Sequence, residues 1–85
     1  MKIALSENRQ KVMNRLKRVE GQVRAVQGML ECEKECADIA TQLSACRSAI
    51  EQTLGVFVAC AIEESSKGQS KKDTEDIKRL LQLIV

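Results

Sequence analysis

Four cysteines and no histidine make up the soft-ligand and nucleophile inventory of this 85-residue chain. Cys32 and Cys36 stand four residues apart in the polar stretch Glu31-Cys-Glu-Lys-Glu-Cys36, whereas Cys46 and Cys60 lie among apolar neighbours. Thiolates are soft ligands that suit Cu(I), while Ni(II) and Co(II) prefer imidazole or other nitrogen, which this chain does not offer. The same sulfurs could act covalently instead. A thiol at a helix N-terminus gains from the helix dipole as a thiolate and can attack persulfides, electrophiles or formaldehyde, and a second thiol nearby can resolve it into a disulfide or polysulfide bridge. Glu33, Glu35 and Asp38 around Cys36 work against that charge. Nothing resembles a catalytic constellation or a cofactor motif, so an enzyme is not expected.

The second chemical feature is basic. Residues 1–30 carry seven Lys or Arg against Glu7 and Glu20, although the whole chain has a net charge of only +2. At about 100° per residue, Lys11, Arg15 and Arg18 form one stripe beside an apolar seam, with Lys17 and Arg24 on the other side of it. Such a stripe serves either as a solvated face or as a surface that neutralises phosphates.

Three helices are expected to position these groups. From about residue 7 to 30, Val12, Leu16, Val19, Val23, Val26 and Leu30 recur at alternating steps of four and three, a heptad stripe of a bundled helix. Ser6 is the expected N-cap. Gly21 and Gly28 weaken this helix unless they mark close backbone approach. A second stripe, Ile39, Leu43, Cys46, Ile50, Leu54, Phe57 and Ala61, predicts a helix over about 36–64, and in it Cys46 is a small buried hydrophobe. Residues 65–72 read as a loop, and Asp73 opens a short helix over about 73–84 carrying Ile77, Leu80, Leu81 and Ile84. The fold class is all-α, with residues 1–85 forming one domain.

A hairpin of two long helices cannot bury both stripes alone, so an antiparallel four-helix-bundle dimer is expected. No uninterrupted run of about 18 apolar residues and no signal peptide is seen, which predicts a cytoplasmic protein that does not enter a membrane and keeps its thiols reduced.

The stretch Asn14-Arg-Leu-Lys-Arg-Val-Glu-Gly21, followed by Gln22-Val-Arg24, resembles the signature of the CsoR/RcnR/FrmR/CstR family of bacterial repressors, and so does Cys36-Ala-Asp-Ile-Ala-Thr-Gln-Leu-Ser-Ala45. The similarity covers about residues 8–65. It implies a three-helix protomer, an antiparallel dimer that pairs into a dimer of dimers, and operator DNA binding relieved by a small inducer. That inducer is Cu(I), Ni(II)/Co(II), formaldehyde or reactive sulfur, sensed around the cysteine that starts helix 2, here Cys36. The resemblance turns the basic stripe into a DNA surface led by Arg15 and Arg18, with Lys11 and Lys17 in support.

The chain departs from the family's copper triad, whose second and third ligands would fall at positions 61 and 65, because it has Ala61 and Ser65 there. An acidic residue that supports the copper site from helix 3 is replaced by Arg79. Cys60 sits one residue from the expected ligand position, and in an antiparallel pair it approaches the partner's Cys36. The sensing thiols are therefore expected to be Cys36 with Cys60 or Cys32, holding Cu(I) or reacting with sulfur species or electrophiles, with thiol chemistry slightly favoured. The reactive-sulfur sensors also lack histidine, but their second cysteine falls at Ser65. The competing function is a cytosolic thiol protein that carries Cu(I) or sulfane sulfur without regulatory DNA binding.

Overall fold

The computed structural model describes residues 2–65 and 71–84, which form three helices, α1 (Ser6–Glu31), α2 (Cys36–Ser65) and α3 (Lys71–Ile84). The first two match the expected spans to within a residue at each end. α3 starts two residues earlier than expected, since Lys71 and Lys72 are good helix formers and still leave Asp73 in the first turn, where its carboxylate suits the dipole. The rest of the expected loop, 66–70, lies outside the described residues.

Each apolar stripe divides in two. On α1, Val19 and Val26, a heptad apart, are buried, with Val12 half-buried a heptad earlier. On α2, Cys46, Thr53 and Cys60 repeat the same seven-residue spacing and are buried too, joined by Val58 and Ala61. The heptad-spaced positions are the faces the hairpin closes, whereas Ala61 lies toward α3. The other half of each stripe, Leu16, Val23 and Leu30 on α1 and Leu43, Ile50 and Phe57 on α2, remains 37–60% exposed. α3 packs on α2 alone and leaves Leu81, Leu83 and Ile84 outside. The result is a slab of 52 × 26 × 12 Å with a radius of gyration of 16.5 Å. A compact chain of this length would have a radius of about 12 Å. One layer of helices has no second layer over its apolar face.

That exposed face also makes α2 apolar on average. By length and composition it would pass as a membrane span, its most apolar 18 residues having a mean hydropathy of 1.3, which the absence of an uninterrupted apolar run did not anticipate. Every qualifying window contains both Arg47 and Glu51, and a charged residue at mid-bilayer costs roughly 2.5–3.5 kcal/mol. One such helix is weak ground for a membrane, and a partner helix would cover the same face.

Two local expectations are corrected. Leu5, in extended backbone, holds the N-cap position of α1 and makes no side-chain cap, while Ser6 is already helical. The entry to α1 is instead held from 60 residues away: Oε1 of Glu64, near the end of α2, accepts from the Ala4 amide at 2.7 Å and from the Leu5 amide at 3.2 Å, and its Oε2 accepts from Asn8 Nδ2 at 2.8 Å. The amides it takes precede the first turn, and a carboxylate there suits the positive end of the helix better than a hydroxyl does. Nor do Gly21 and Gly28 mark close approach within the protomer, because a Cβ at either would meet nothing within 4 Å.

The hydrogen bond from Asn8, followed by that from Ala4, holds the Glu64 carboxyl below its ordinary value of 4.5. A carboxyl depressed by folding stabilises the fold above its unfolded value, and this contribution is lost as pH falls through the lower folded value. The tie between the N-terminus and α2 should therefore persist at pH 5 and open only below about 4.5, seen as faster hydrogen exchange at the Ala4 and Leu5 amides. Opening already near neutral pH would contradict it.

Candidate functional site: a thiol bend and a basic helix face

The bend that carries the exposed thiols is built by backbone geometry. Cys32 ends α1, and Glu33 takes the left-handed conformation at φ 53°, so that its amide donates to the Leu30 carbonyl at 3.2 Å and the Lys34 amide to the Met29 carbonyl at 3.0 Å. These two bonds form a Schellman closure, which glycine usually serves; glutamate here accepts the strain of a positive φ, about 1 kcal/mol. The Ile39 amide then donates to the Glu35 carbonyl at 3.1 Å, opening α2 with Cys36 as its first residue. Three residues thus separate Cys32 and Cys36, which stand on either side of one turn, both free and both exposed. Asp38 occupies the first turn of α2.

The other two cysteines are free and buried. Cys46 behaves as expected for a small hydrophobe in the α1–α2 seam, and Cys60 is buried in that seam as well. Cys36 and Cys60 lie at opposite ends of α2, roughly 36 Å apart along its axis at 1.5 Å per residue. One protomer cannot join them. Among the described residues, no three His, Cys, Asp or Glu side chains gather in a metal-holding group.

At positions 61 and 65 the chain offers no ligand. Ala61 is buried, and the Ser65 hydroxyl, also buried, donates to the Ile62 carbonyl at 3.1 Å. Ala61 instead borders an open cavity of about 360 Å3 with Ile3, Phe57 and Leu80, whose polar lining includes Lys2, Asp76 and Arg79. Arg79 does therefore face the neighbourhood in which the resemblance places a supporting carboxylate, and it brings a positive charge.

The basic residues resolve into one focused site and three outliers. Arg15 and Arg18 line a groove of about 170 Å3 with Gln22 from α1 and with Gln52 and Thr53 from α2. Among the described residues neither arginine pairs with a carboxylate. Two unpaired guanidinium groups with amide donors beside them can receive an oxyanion such as a backbone phosphate. Lys11 lies one turn earlier on a shallower surface with Glu7, Gln10 and Asn14. Lys17 is exposed and does not line the arginine groove, and Arg24 borders a separate surface with Leu16 and Val23. Gln22 was within reach of sequence inspection, being a helical turn beyond Arg18. Gln52 was not, since only the packing of α2 on α1 brings it to the arginines.

Comparison with known proteins places these features in context. The model of the family described as "Metal-sensitive transcriptional repressor" matches residues 8–85. The copper-sensing transcriptional repressor RicR of Mycobacterium tuberculosis is 36% identical over 78 residues, covering 82% of this chain and 81% of that protein. The copper-sensing transcriptional repressor CsoR of Bacillus subtilis is 46% identical over 46 residues, covering 54% of this chain but only 46% of that protein. No solved structure matches.

Proposed function

Because the chain belongs to the metal-sensitive transcriptional repressor family, whose members are repressors and not enzymes, we propose that it binds operator DNA through α1 and releases it when Cys36 is occupied. The observation that carries this reading is the exposed pair Cys32 and Cys36 on the bend that joins the arginine-bearing helix to α2. Arg15 and Arg18 grip the phosphate backbone, Lys11 adds charge one turn away, and Lys17 contributes from the neighbouring face.

The functional unit is a cytoplasmic homodimer or homotetramer. A second hairpin, antiparallel to the first, would cover the open halves of both apolar stripes and bring its own bend, with Cys36, to the end of the first copy's α2. Occupying Cys36 at that junction favours one relative setting of the hairpins. A coupling of about 1–3 kcal/mol between thiol and DNA sites lowers operator affinity roughly 5- to 150-fold.

Cu(I) is the first-placed effector. Its preference for soft thiolates fits Cys36 with Cys32 or with Cys60 of another copy, and both relatives are copper-sensing repressors. That places Cu(I) ahead of the sulfur chemistry that the cysteine pattern slightly favours. Reactive sulfur or an electrophile is the second reading, supported by Ala61, by the committed Ser65 hydroxyl and by the Arg79 charge around the usual ligand positions. A thiol carrier without regulatory DNA binding is not favoured, since the family consists of repressors.

Mass spectrometry after separate exposure to Cu(I), a persulfide donor and formaldehyde, with operator affinity measured on the same samples, tests the proposal. The expected result is one agent that loads Cys36 and weakens DNA binding at least fivefold. Loading of Cys36 that leaves DNA affinity unchanged with all three agents would sink it.

A further inference from the structure

The hydrogen bonds that tie the two open ends of the hairpin together have no part in thiol chemistry or phosphate binding, yet they join the elements that carry both. Glu64 lies near the end of α2, one residue before Ser65, three after Ala61 and four after Cys60. Its carboxylate takes the Ala4 and Leu5 amides and the Asn8 side chain at 2.7–3.2 Å. Asn8 is buried, with only 5% of its surface exposed. It precedes Lys11 by three residues and Arg15 by seven, which places it about 4.5 and 10.5 Å before them along the same face of α1.

The α1–α2 seam elsewhere buries mostly small apolar groups, Val19 and Val26 on α1 and Cys46 and Cys60 with Thr53 on α2, while Ala61 borders the cavity lined by Leu80 of α3. Contacts of that kind are non-directional, and helices so packed can slide or rotate by small amounts. A carboxylate accepting three hydrogen bonds is directional, and it fixes the axial and rotational setting of α1 relative to the end of α2.

We propose that Glu64 and Asn8 are the positioning pair through which a displacement of the α2 end is passed to the DNA-contacting arginines. This rests on the reading that occupation of Cys36 in one copy shifts the hairpin end of another. When that end moves, the clasp carries the start of α1 with it and turns Arg15 and Arg18 out of register with the phosphates. Without the clasp, the apolar seam absorbs the movement and α1 keeps its setting.

The test is operator affinity with and without buffered Cu(I), and in parallel with and without a persulfide donor, for the full-length chain and for Glu64→Ala, Asn8→Ala and Glu64→Gln. The expected result is that both alanine variants load Cys36 as the parent does, by mass spectrometry, but that their ratio of free to loaded affinity drops to within about twofold of unity. Glu64→Gln retains part of the ratio, because the Asn8 amide can turn to pair with it. A clasp that merely stabilises the fold would weaken free and loaded states by the same factor and preserve the ratio, and that result overturns the pair's role. Asn8→Ala, which leaves the Glu64 carboxylate its two backbone bonds, carries the test should Glu64→Ala fail to fold. If the parent chain itself shows no release with either agent, the sensing function fails instead.

Discussion

Replacing Cys36 with serine is expected to leave operator affinity within about twofold of the parent and to abolish release by the effector. The two halves of this result have separate physical causes. Cys36 is exposed at the first residue of α2, has no side-chain partner among the described residues, and is followed by the unchanged Asp38 of the first turn. Surface substitutions of this kind change stability by about 0.5 kcal/mol or less, and serine is well tolerated at a helix start. The fold and the arginine groove, which lies on the middle of α1, should therefore be untouched. Chemically the change is complete, because a hydroxyl is a hard donor that does not hold Cu(I), and it neither forms disulfides nor attacks persulfides at neutral pH. The measurement is DNA binding across an effector titration, with oligomeric state checked in parallel. Loss of repression without effector would show that Cys36 is structural, and persistent release would move the sensing role to Cys32 or Cys60.

Helices α1 and α2 could be placed to within a residue because seven-residue spacing of apolar side chains is a local property, and the polar stretch between Glu31 and Cys36 interrupts it clearly. Which half of each stripe would be buried is a tertiary matter: Val19 and Leu16 have equal claims in sequence, and only the packing of one helix on the other buries the first and leaves the second open. The cap of α1 illustrates a further limit. Ser6 had the right chemistry one residue too late, and a Glu64 carboxylate 58 residues away holds the entry to the helix through the Ala4 and Leu5 amides and the Asn8 side chain, which no local pattern announces. The thiol bend was legible as two cysteines around a polar turn. Its closure through a left-handed glutamate was not, since glycine is what that geometry ordinarily selects. The expected approach of Cys60 to Cys36 was already one between two chains, and the length of α2 excludes it within one.

Substituting Arg15 by alanine should produce the largest loss of DNA affinity among the basic residues of α1. Arg15 is half-buried and shares its groove with Arg18, Gln22 and Gln52, so its guanidinium is steered by its surroundings rather than swept through solvent. A preordered arginine loses less side-chain freedom on binding phosphate and can donate two bonds at once, whereas exposed Lys17, outside that groove, must be immobilised from a full set of rotamers. A hydrogen bond to a charged group contributes about 1.5–3 kcal/mol, so losing one phosphate contact weakens binding about 10- to 150-fold, and more where two copies of the chain engage one operator. Each phosphate contact also releases counterions, and its removal should reduce the slope of log affinity against log salt by about one. Affinity measured across a salt series for Arg15→Ala and Lys17→Ala decides the matter. The expected order is a large loss and a shallower slope for the first and a small loss for the second. Equal losses would show that the helix acts through its total charge, with the groove between α1 and α2 having no special part in holding the duplex.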